Sequence, residues 1–528
     1  MSLASASPLA REGRELPLAD CAVSLALDRP LARIAALVAA TAASYAAELA
    51  AAAAAVLLYL PALRFGFVFD DGSLIDASGW PQRLGGLVPY RPLRYASYLV
   101  DGWLGGTPWI YHAHNIALHA LACALVASIA RRLGAARIAA AAAGLLVAVH
   151  PIAVESVAYV AGRRDLLCVA LGLAAVLVWI RGRAPAALVL VVLATAAKES
   201  GLLFASPLVA ASVAGIGPRM DDASQKRALA ALFAAAIAVA ALLVAGYGAV
   251  GPWGPAGDVA SVAFVGRVAM HYASGLLGLR SFAPEYPALL QYSPAAGELA
   301  LHLLFAAAIA GAVVLSLRRC RRASGSDRSP AFAAAWTAMA MLAVAIWGGL
   351  HEPGADRHAY LLLAPIAIAA ALLLTRTRLV HAPRYLAPIA IAALLLASAA
   401  ASYGQMQIWG SEGALWTRAA ADPAASSRVH ANLARSLALE GNLRGATGHL
   451  HVAIERDPAN PRLYLGLAAL RCAAGHPSWA RRDLERARVA GAAGGEVAAV
   501  EQDCNFPLAV SPVAAPDSGH SPDPGSGS

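Results

Sequence analysis

Charge is scarce in this sequence. Only 14% of its 528 residues are Asp, Glu, Lys or Arg, against 59% hydrophobic, and a water-soluble domain cannot hide that much apolar surface. Cysteine is scarce too. The six cysteines (Cys21, Cys123, Cys168, Cys320, Cys472, Cys504) are scattered, with no CxxC pair and no metal-ligand spacing, so they read as packing residues or bystanders. There is no Gly-rich phosphate loop, no serine elbow and no two-carboxylate glycosidase pattern. The net charge of +9 comes from short basic clusters between apolar runs rather than from one stripe. That distribution argues for membrane topology signals and against a nucleic-acid partner.

What the sequence has instead is long apolar runs. They fall at about 46–63, 112–130, 138–156, 165–181, 185–198, 200–217, 228–249, 296–317, 331–350, 358–375 and 385–403. A helix rising 1.5 Å per residue needs roughly 20 residues to cross a hydrocarbon core of about 30 Å. The expected fold class is therefore all-α, a polytopic helical bundle of 11 spans. Residues 1–44 read as a cytoplasmic tail with a surface helix and no cleavable signal peptide. With the N-terminus inside, Arg131, Arg132 and Arg137, Arg181 and Arg183, Arg219, Lys226 and Arg227, Arg318 to Arg322, and Arg376, Arg378 and Arg384 all land on the cytoplasmic side. A span at 259–280 would move "RRCRR" outside, so that stretch reads as re-entrant or surface-lying. The bundle domain is 45–404.

Beyond residue 403 the chain is amphipathic rather than apolar. Leu433 and Leu467, Gly441 and Gly475, Ala446 and Ala480, Leu450 and Leu484, and Ala453 and Ala487 are each 34 positions apart. That is the tetratricopeptide period, with small residues where paired helices approach closely. Residues 405–490 are expected to be a short repeat array on the outer face. Residues 491–528, rich in Pro, Gly and Ser towards the end, read as a disordered tail.

Four polar islands interrupt the bundle on its outer face, where ionisable groups are expensive and suggest function. "FGFVFDDGSLID" carries Asp70 and Asp71, with Arg91 downstream in "VPYRPLRYASY". One carboxylate can act as a general base towards an acceptor hydroxyl, and adjacent like charges raise one pKa; the same letters also describe a solvated turn. "YHAHNIALHA" places His112, Asn115 and His119 on one helix face, suited to binding a sugar or to an interhelical seam. "HPIAVESVAYVAGRRD" holds His150, Glu155, Arg163 and Asp165, suited to phosphate recognition with compensating acids or to a capped ion pair. Lys198 and Glu199 in "AKESG", and Arg357 in "HEPGADRHAY", complete the set as candidate phosphate clamps or interface anchors. No metal site is expected. With nucleotides confined to the other face, an outer-face transferase needs a lipid-linked donor.

Taken in order, "GFVFDD", "YRPL", "HAHNIALHA", "HPIAVESVAYVAGRRDLL", "AKESG", "DRHAYLLLAP" and the C-terminal repeats resemble the transmembrane-and-tetratricopeptide-repeat (TMTC-type) family of GT-C glycosyltransferases, related to protein O-mannosyltransferases. The resemblance implies an inverting glycosyltransferase using a polyprenyl- or dolichyl-phosphate sugar, typically mannose. The acid motif, here Asp70 and Asp71, would be its catalytic element. Arg91, Arg163 and Arg357 match the motif arginines, and His150 and Glu155 the "HPxxxE" turn. Departures are Ala153 and His358, where relatives often carry His and Tyr, and the shortness of the repeat array. The Ala/Arg/Gly-rich composition points to a bacterial inner membrane, with the repeats in the periplasm. No tightly bound cofactor is expected. The expected partners are the polyprenyl-phosphate sugar, membrane lipid and an exported acceptor protein presented by the repeats. Transfer to a glycolipid or envelope glycan, and a non-catalytic repeat scaffold, are the alternatives.

Overall fold

The computed structural model describes residues 43–75, 91–218, 259–290, 293–351, 354–377 and 386–504, with isolated positions between 223 and 241. The surface helix expected before residue 43, most of the 228–249 run and the 505–528 tail lie outside the described residues. What is described is helical and divides into two units, Met1–Phe282 with Tyr292–Gly410, and Ala283–Gln291 with Ser411–Ser528.

The first unit opens with α1 (Ala46–Tyr59), continued by a 3-10 turn to Arg64. There follow a short α2 (Asp71–Ile75), α3 (Pro92–Trp103), α4 (Pro108–Arg132) and α5 (Arg137–Val149). Pro92 and Pro108 start their helices, where a missing N–H loses nothing. A bent region comes next, with α6 (Val154–Ala158) flanked by 3-10 turns at Pro151–Ala153 and Val160–Gly162. Then come α7 (Arg163–Ile180), α8 (Ala184–Ala197), a 3-10 turn at Glu199–Phe204, α9 (Ala205–Val213) and α10 (Val259–Leu276). The unit closes with α11 (Ala296–Arg322), α12 (Arg328–His351), α13 (Asp356–Arg376) and α14 (Leu386–Ile408).

Six of these stretches are long and apolar enough to cross a membrane, namely Ala46–Arg64, Pro108–Arg132, Ala296–Arg322, Gly325–Gly348, Asp356–Arg376 and Pro388–Ile408. They mark a multi-pass membrane protein. The expected run at 138–156 is instead a pair of helices bent by 49° at His150–Pro151, because proline cannot continue the hydrogen-bond ladder. The 185–198 and 200–217 runs are short apolar helices, and the 165–181 run begins on the charged turn of Arg163, Arg164 and Asp165. The stretch that reads as re-entrant or surface-lying is one unbroken helix, α10, packed against α11, α12 and α13 through Phe264, Val268 and Tyr272.

Close packing depends on small side chains, as it must between helices that gain no hydrophobic drive from lipid. Gly144 on α5 shows how close. A Cβ there would lie 2.6 Å from the Ala51 Cβ of α1 and 2.9 Å from the Cys123 carbonyl oxygen of α4.

In the second unit, α15 (Glu412–Ala420) precedes two helical hairpins, α16 (Ser427–Leu439) with α17 (Leu443–Arg456), and α18 (Pro461–Ala473) with α19 (Pro477–Val489). The second hairpin starts 34 positions after the first at both helices. Gly441 and Gly475 end equivalent helices with φ of +82° and +77°, a conformation that glycine takes at little expense. Ala446, Leu450, Ala453, Leu463 and Leu467 form one apolar cluster, and Leu465, Ala468, Ala480, Leu484 and Ala487 a second. The unit begins at Ser411 rather than 405, and α14 runs on to Ile408.

Two expectations change here. Residues 494–503, which read as the start of a tail, instead form a helix, α20 (Gly494–Asp503), packed on α18 and α19 through Val497. Cys472 and Cys504, which read as bystanders, form a disulfide that ties α18 to the end of α20. Nothing in their spacing announces this, because a separation of 32 positions matches no small-domain cysteine framework.

Candidate active site

Asp70 and Asp71 are neighbours with opposite surroundings. Asp70 is exposed and Asp71 fully buried at the start of α2. The Asp71 carboxylate accepts the Val68 N–H at 3.1 Å and the Ala161 N–H at 2.8 Å. It thereby ties the acid loop to the Val160–Gly162 turn, 90 residues away. Burial pushes this carboxyl up to about 7, against the pull of its backbone donors and with a smaller push from Asp70. Phe69, next in line, has φ of +60°, a left-handed conformation rare for an aromatic residue, and its ring meets Tyr159 edge-on at 5.6 Å. Strained backbone of this kind persists only where its surroundings over-determine it.

Around this loop runs a frame of buried ion pairs. Arg91, also at positive φ (+57°), caps α3 and grips Glu199 with two nitrogens, Nε to Oε2 at 2.9 Å and Nη2 to Oε1. Lys198 pairs with Asp165. Arg357 binds Glu155 twice, through its backbone N–H at 2.9 Å and through Nη1. Arg163, wholly buried, donates to Asp101 from Nη1, to the Asn115 side-chain oxygen at 2.8 Å from Nε and to the Tyr111 carbonyl at 2.7 Å from Nη2. Every nitrogen of its guanidinium is engaged by protein. The Asn115 amide nitrogen donates in turn to the carbonyls of Val157, Tyr159 and Val160 at 3.1–3.3 Å.

The three polar residues of the second apolar run divide by depth. His112 lies under the acid loop, 3.4 Å from the Gly66 carbonyl oxygen and edge-on to Phe65. Deeper in the bundle, His119 meets the Tyr360 hydroxyl at 2.8 Å. His150 caps the bent turn by accepting the Ile152 N–H at 3.2 Å, while its Nε2 lies 3.1 Å from the Leu276 carbonyl oxygen. The acid loop and the 149–165 turn are thus brought together with α3, α4, the 198–199 turn and the start of α13. Trp409, just beyond α14, stacks on Tyr159 with ring centroids 5.3 Å apart.

Several residues of this frame are not singled out by the sequence motifs. Asp101 is the counter-ion of Arg163 and also meets His114 Nδ1 at 2.9 Å. A signal for it is present, since Arg94, Tyr98 and Asp101 follow at i, i+4 and i+7 on α3 and all three are buried. Asp356 pairs with Arg280, and His358 Nδ1 lies 3.4 Å from the Tyr272 hydroxyl. Consecutive residues of "DRH" therefore tether three different elements. Arg94 and Arg164 belong to this group too. Among the described residues no group of three or more His, Cys, Asp and Glu side chains has the arrangement of a metal site.

The chemical capability follows from this arrangement. A carboxylate open to solvent sits on a loop whose position is set by a second, buried carboxylate. Buried cations surround the turn to which that loop is fastened.

Comparison with known proteins gives partial matches. Protein O-mannosyl-transferase Tmtc2 of Drosophila melanogaster is 41% identical over 133 residues, 21% of this chain and 14% of that protein. Protein O-mannosyl-transferase Tmtc1 of the same species is 39% identical over 132 residues, 21% and 15% of the two chains. Protein O-mannosyl-transferase TMTC2 of Homo sapiens is 32% identical over 129 residues, again 21% and 15%. The chain thus spans only 14–15% of the length of these curated relatives. No family model and no solved structure matches it. The similarity, confined to about a fifth of the chain's length, is to TMTC-type proteins.

Proposed function

We propose that the chain is a GT-C membrane glycosyltransferase. It moves a sugar, mannose by the names of its relatives, from a polyprenyl-phosphate carrier to Ser/Thr hydroxyls of exported proteins. The observation that carries this reading is the exposed Asp70 on a loop pinned by buried Asp71 beside a frame of buried cations. The acceptor oxygen attacks the anomeric carbon, the carbon–oxygen bond to phosphate breaks, and the phosphate leaves with the electron pair. Asp70 takes the acceptor's proton, a contribution of about 10²–10⁴ in rate for a positioned base. Asp71 holds the loop. Arg91, Lys198, Glu199, Asp165, Glu155 and Arg357, paired with one another, set the shape of the donor end, and His112, Asn115 and His119 hold the loop and turn against α4. No resident metal or cofactor enters the step.

The site faces the extracytoplasmic side, in a bacterial inner membrane, with the N-terminus cytoplasmic and the remaining apolar runs completing the eleven spans. The hairpins of the second unit are tetratricopeptide repeats that present the acceptor peptide. The Cys472–Cys504 disulfide supports their placement outside, since such bonds persist in oxidising compartments.

The test is a transfer assay in detergent with radiolabelled polyprenyl-phosphate mannose and a membrane-extract acceptor pool. Label is expected in Ser/Thr of protein. Label in glycolipid would keep the reaction and replace the acceptor. No transfer from any polyprenyl-phosphate sugar to any acceptor fraction would contradict the reading.

A further inference from the structure

Between the two helices of the first hairpin, a pair of histidines meets ring to ring. His430 on α16 and His449 on α17 bring their Nδ1 atoms to 3.2 Å, with ring centroids 5.4 Å apart and planes 15° from parallel. The centroid separation exceeds the nitrogen separation by about twice the radius of an imidazole ring. The rings therefore lie end to end and nearly coplanar, nitrogen facing nitrogen. A hydrogen bond in this arrangement needs one Nδ1–H and one bare Nδ1. It survives a first added proton, taken at an outward-facing Nε2. It is lost when both rings are cations, because both Nδ1 atoms are then donors. An ion shared by the pair would stand about 2.0–2.1 Å from each nitrogen, well to one side of their common axis, where neither lone pair points. The geometry is that of a proton site rather than a metal site.

The surroundings of the pair oppose further protons. His430 is buried in the first turn of α16, where the positive end of the helix dipole disfavours a cation. Burial first, then the charge of Arg456 in the last turn of α17 and the His449 ring, hold His430 below the usual histidine value. The acids of the packed elements are engaged elsewhere. Glu285 of the 283–291 segment meets Ser426 and Arg428, and Glu412 of α15 meets Trp416 and Arg435. Glu440 lies with Arg418 of α15 in a groove at the other end of α16. His451, two positions after His449, is exposed and turned towards Arg471 of α18. Among the described residues no carboxylate acts on His430 to offset a second positive charge.

We propose that His430 and His449 form a pH-sensitive latch, closed while one proton lies between them and released when both rings become cations, so that the α16–α17 hairpin opens as its surroundings acidify. The sign follows from where the protons go. An open hairpin lets each histidine take its proton at about pH 6.5, and the closed pair refuses at least one of them. Each refused proton shifts the open–closed balance by up to about tenfold for every pH unit below that value. The latch adds full stability above about pH 6.5 and loses it as pH falls. That the hairpin serves acceptor presentation on an outer face rests on the function proposed above; the latch itself does not.

The experiment is hydrogen exchange of the detergent-solubilised full chain at about pH 7.5 and about pH 5, read by peptide mass spectrometry and corrected for the pH dependence of intrinsic exchange. Protection of residues 427–456 is expected to fall about tenfold or more on acidification in wild type, and by about twofold or less in the double variant His430→Phe, His449→Phe. His449→Gln keeps an amide donor towards His430 without a proton to gain, so it should retain protection at neutral pH and lose less in acid. Removing the exposed histidine, His451→Gln, should leave the wild-type loss in place. Wild-type protection that does not fall would overturn the proposal, as would an equal fall in the double variant or in His449→Gln. A loss of the same size at residues 461–489 would overturn it too, since general acid unfolding would then be the cause. Should the latch open as expected in a chain that transfers no sugar, the latch stands and the transferase reading fails.

Discussion

The two units of this chain bury different things. The repeat unit buries alanine and leucine, with Ala446, Ala453, Ala480 and Leu484 fully enclosed, and places most of its charges outside. The bundle also buries alanine, but encloses Asp71, Asp101, Arg163 and Asp165 completely and Lys198, Glu155 and Arg357 almost so. The repeat unit stacks mainly by apolar contact and encloses one acid completely, Asp483, held by Arg471. Ion pairs inside a bundle are poor stabilisers compared with packed apolar groups of similar size. Their concentration around a single loop and turn is the observation on which the proposed active site rests.

The sharpest way to break this contrast is to remove one partner from the frame. Arg163→Ala leaves the Asn115 oxygen buried without its Arg163 donor and Asp101 with His114 as its remaining partner, and a loss of about 3–5 kcal/mol is expected. Chemical or thermal unfolding in detergent measures it, and a change below about 1 kcal/mol would show that Arg163 is not a keystone. In the repeat unit the largest single effect is expected from the covalent tie. Cys472→Ser with Cys504→Ser is predicted to cost about 3 kcal/mol by loosening a loop of this length, read as faster proteolysis of residues 461–504. Transfer per folded molecule should change far less than stability.

Asp71 gives the bundle a pH signature; the buried acid of the repeat unit, Asp483, is also pushed up by burial but is held by Arg471. The folded-state pKa of Asp71 is raised from the usual carboxylate range to about 7, so its protonated form is the one the fold favours. The stabilisation it gives is full below about pH 4, the ordinary carboxylate value, and is lost as pH rises through 7. The stability difference between wild type and Asp71→Asn should therefore narrow between pH 4 and 7, by roughly 1 kcal/mol or more. A pH-independent difference would contradict the burial argument. The smallest effect is expected at the exposed Arg488–Glu501 pair of the repeat unit, where Arg488→Ala should change stability by less than about 1 kcal/mol.

Much of the repeat unit is legible in the sequence alone, because a 34-residue spacing of small and apolar residues dictates which faces meet. The long apolar helices are legible for a similar reason, length and composition. Segments that combine apolar character with a sharp interruption are not. Pro151 bends what reads as one span, and Arg163, Arg164 and Asp165 sit within the first turn of another helix. In the site, the sequence points to the polar islands but cannot pair them. The partner of Arg357 is 202 residues away, that of Arg91 108 residues and that of Arg163 62 residues. Nor can adjacent letters say which aspartate faces solvent. That depends on the Val68 and Ala161 N–H groups arriving from two directions.

The most direct test of the account compares Asp70→Asn with Asp71→Asn in the mannosyl transfer assay, normalised to folded protein. The account predicts that Asp70→Asn folds like wild type, binds lipid phosphate, and loses transfer by a factor of about 10² or more. Asp71→Asn should show its main loss in thermal stability measured below pH 7, with a smaller decrease in transfer per folded molecule. Near-normal transfer by Asp70→Asn, with Asp71→Asn inactive yet stably folded, would contradict the assignment of the exposed carboxylate as the base.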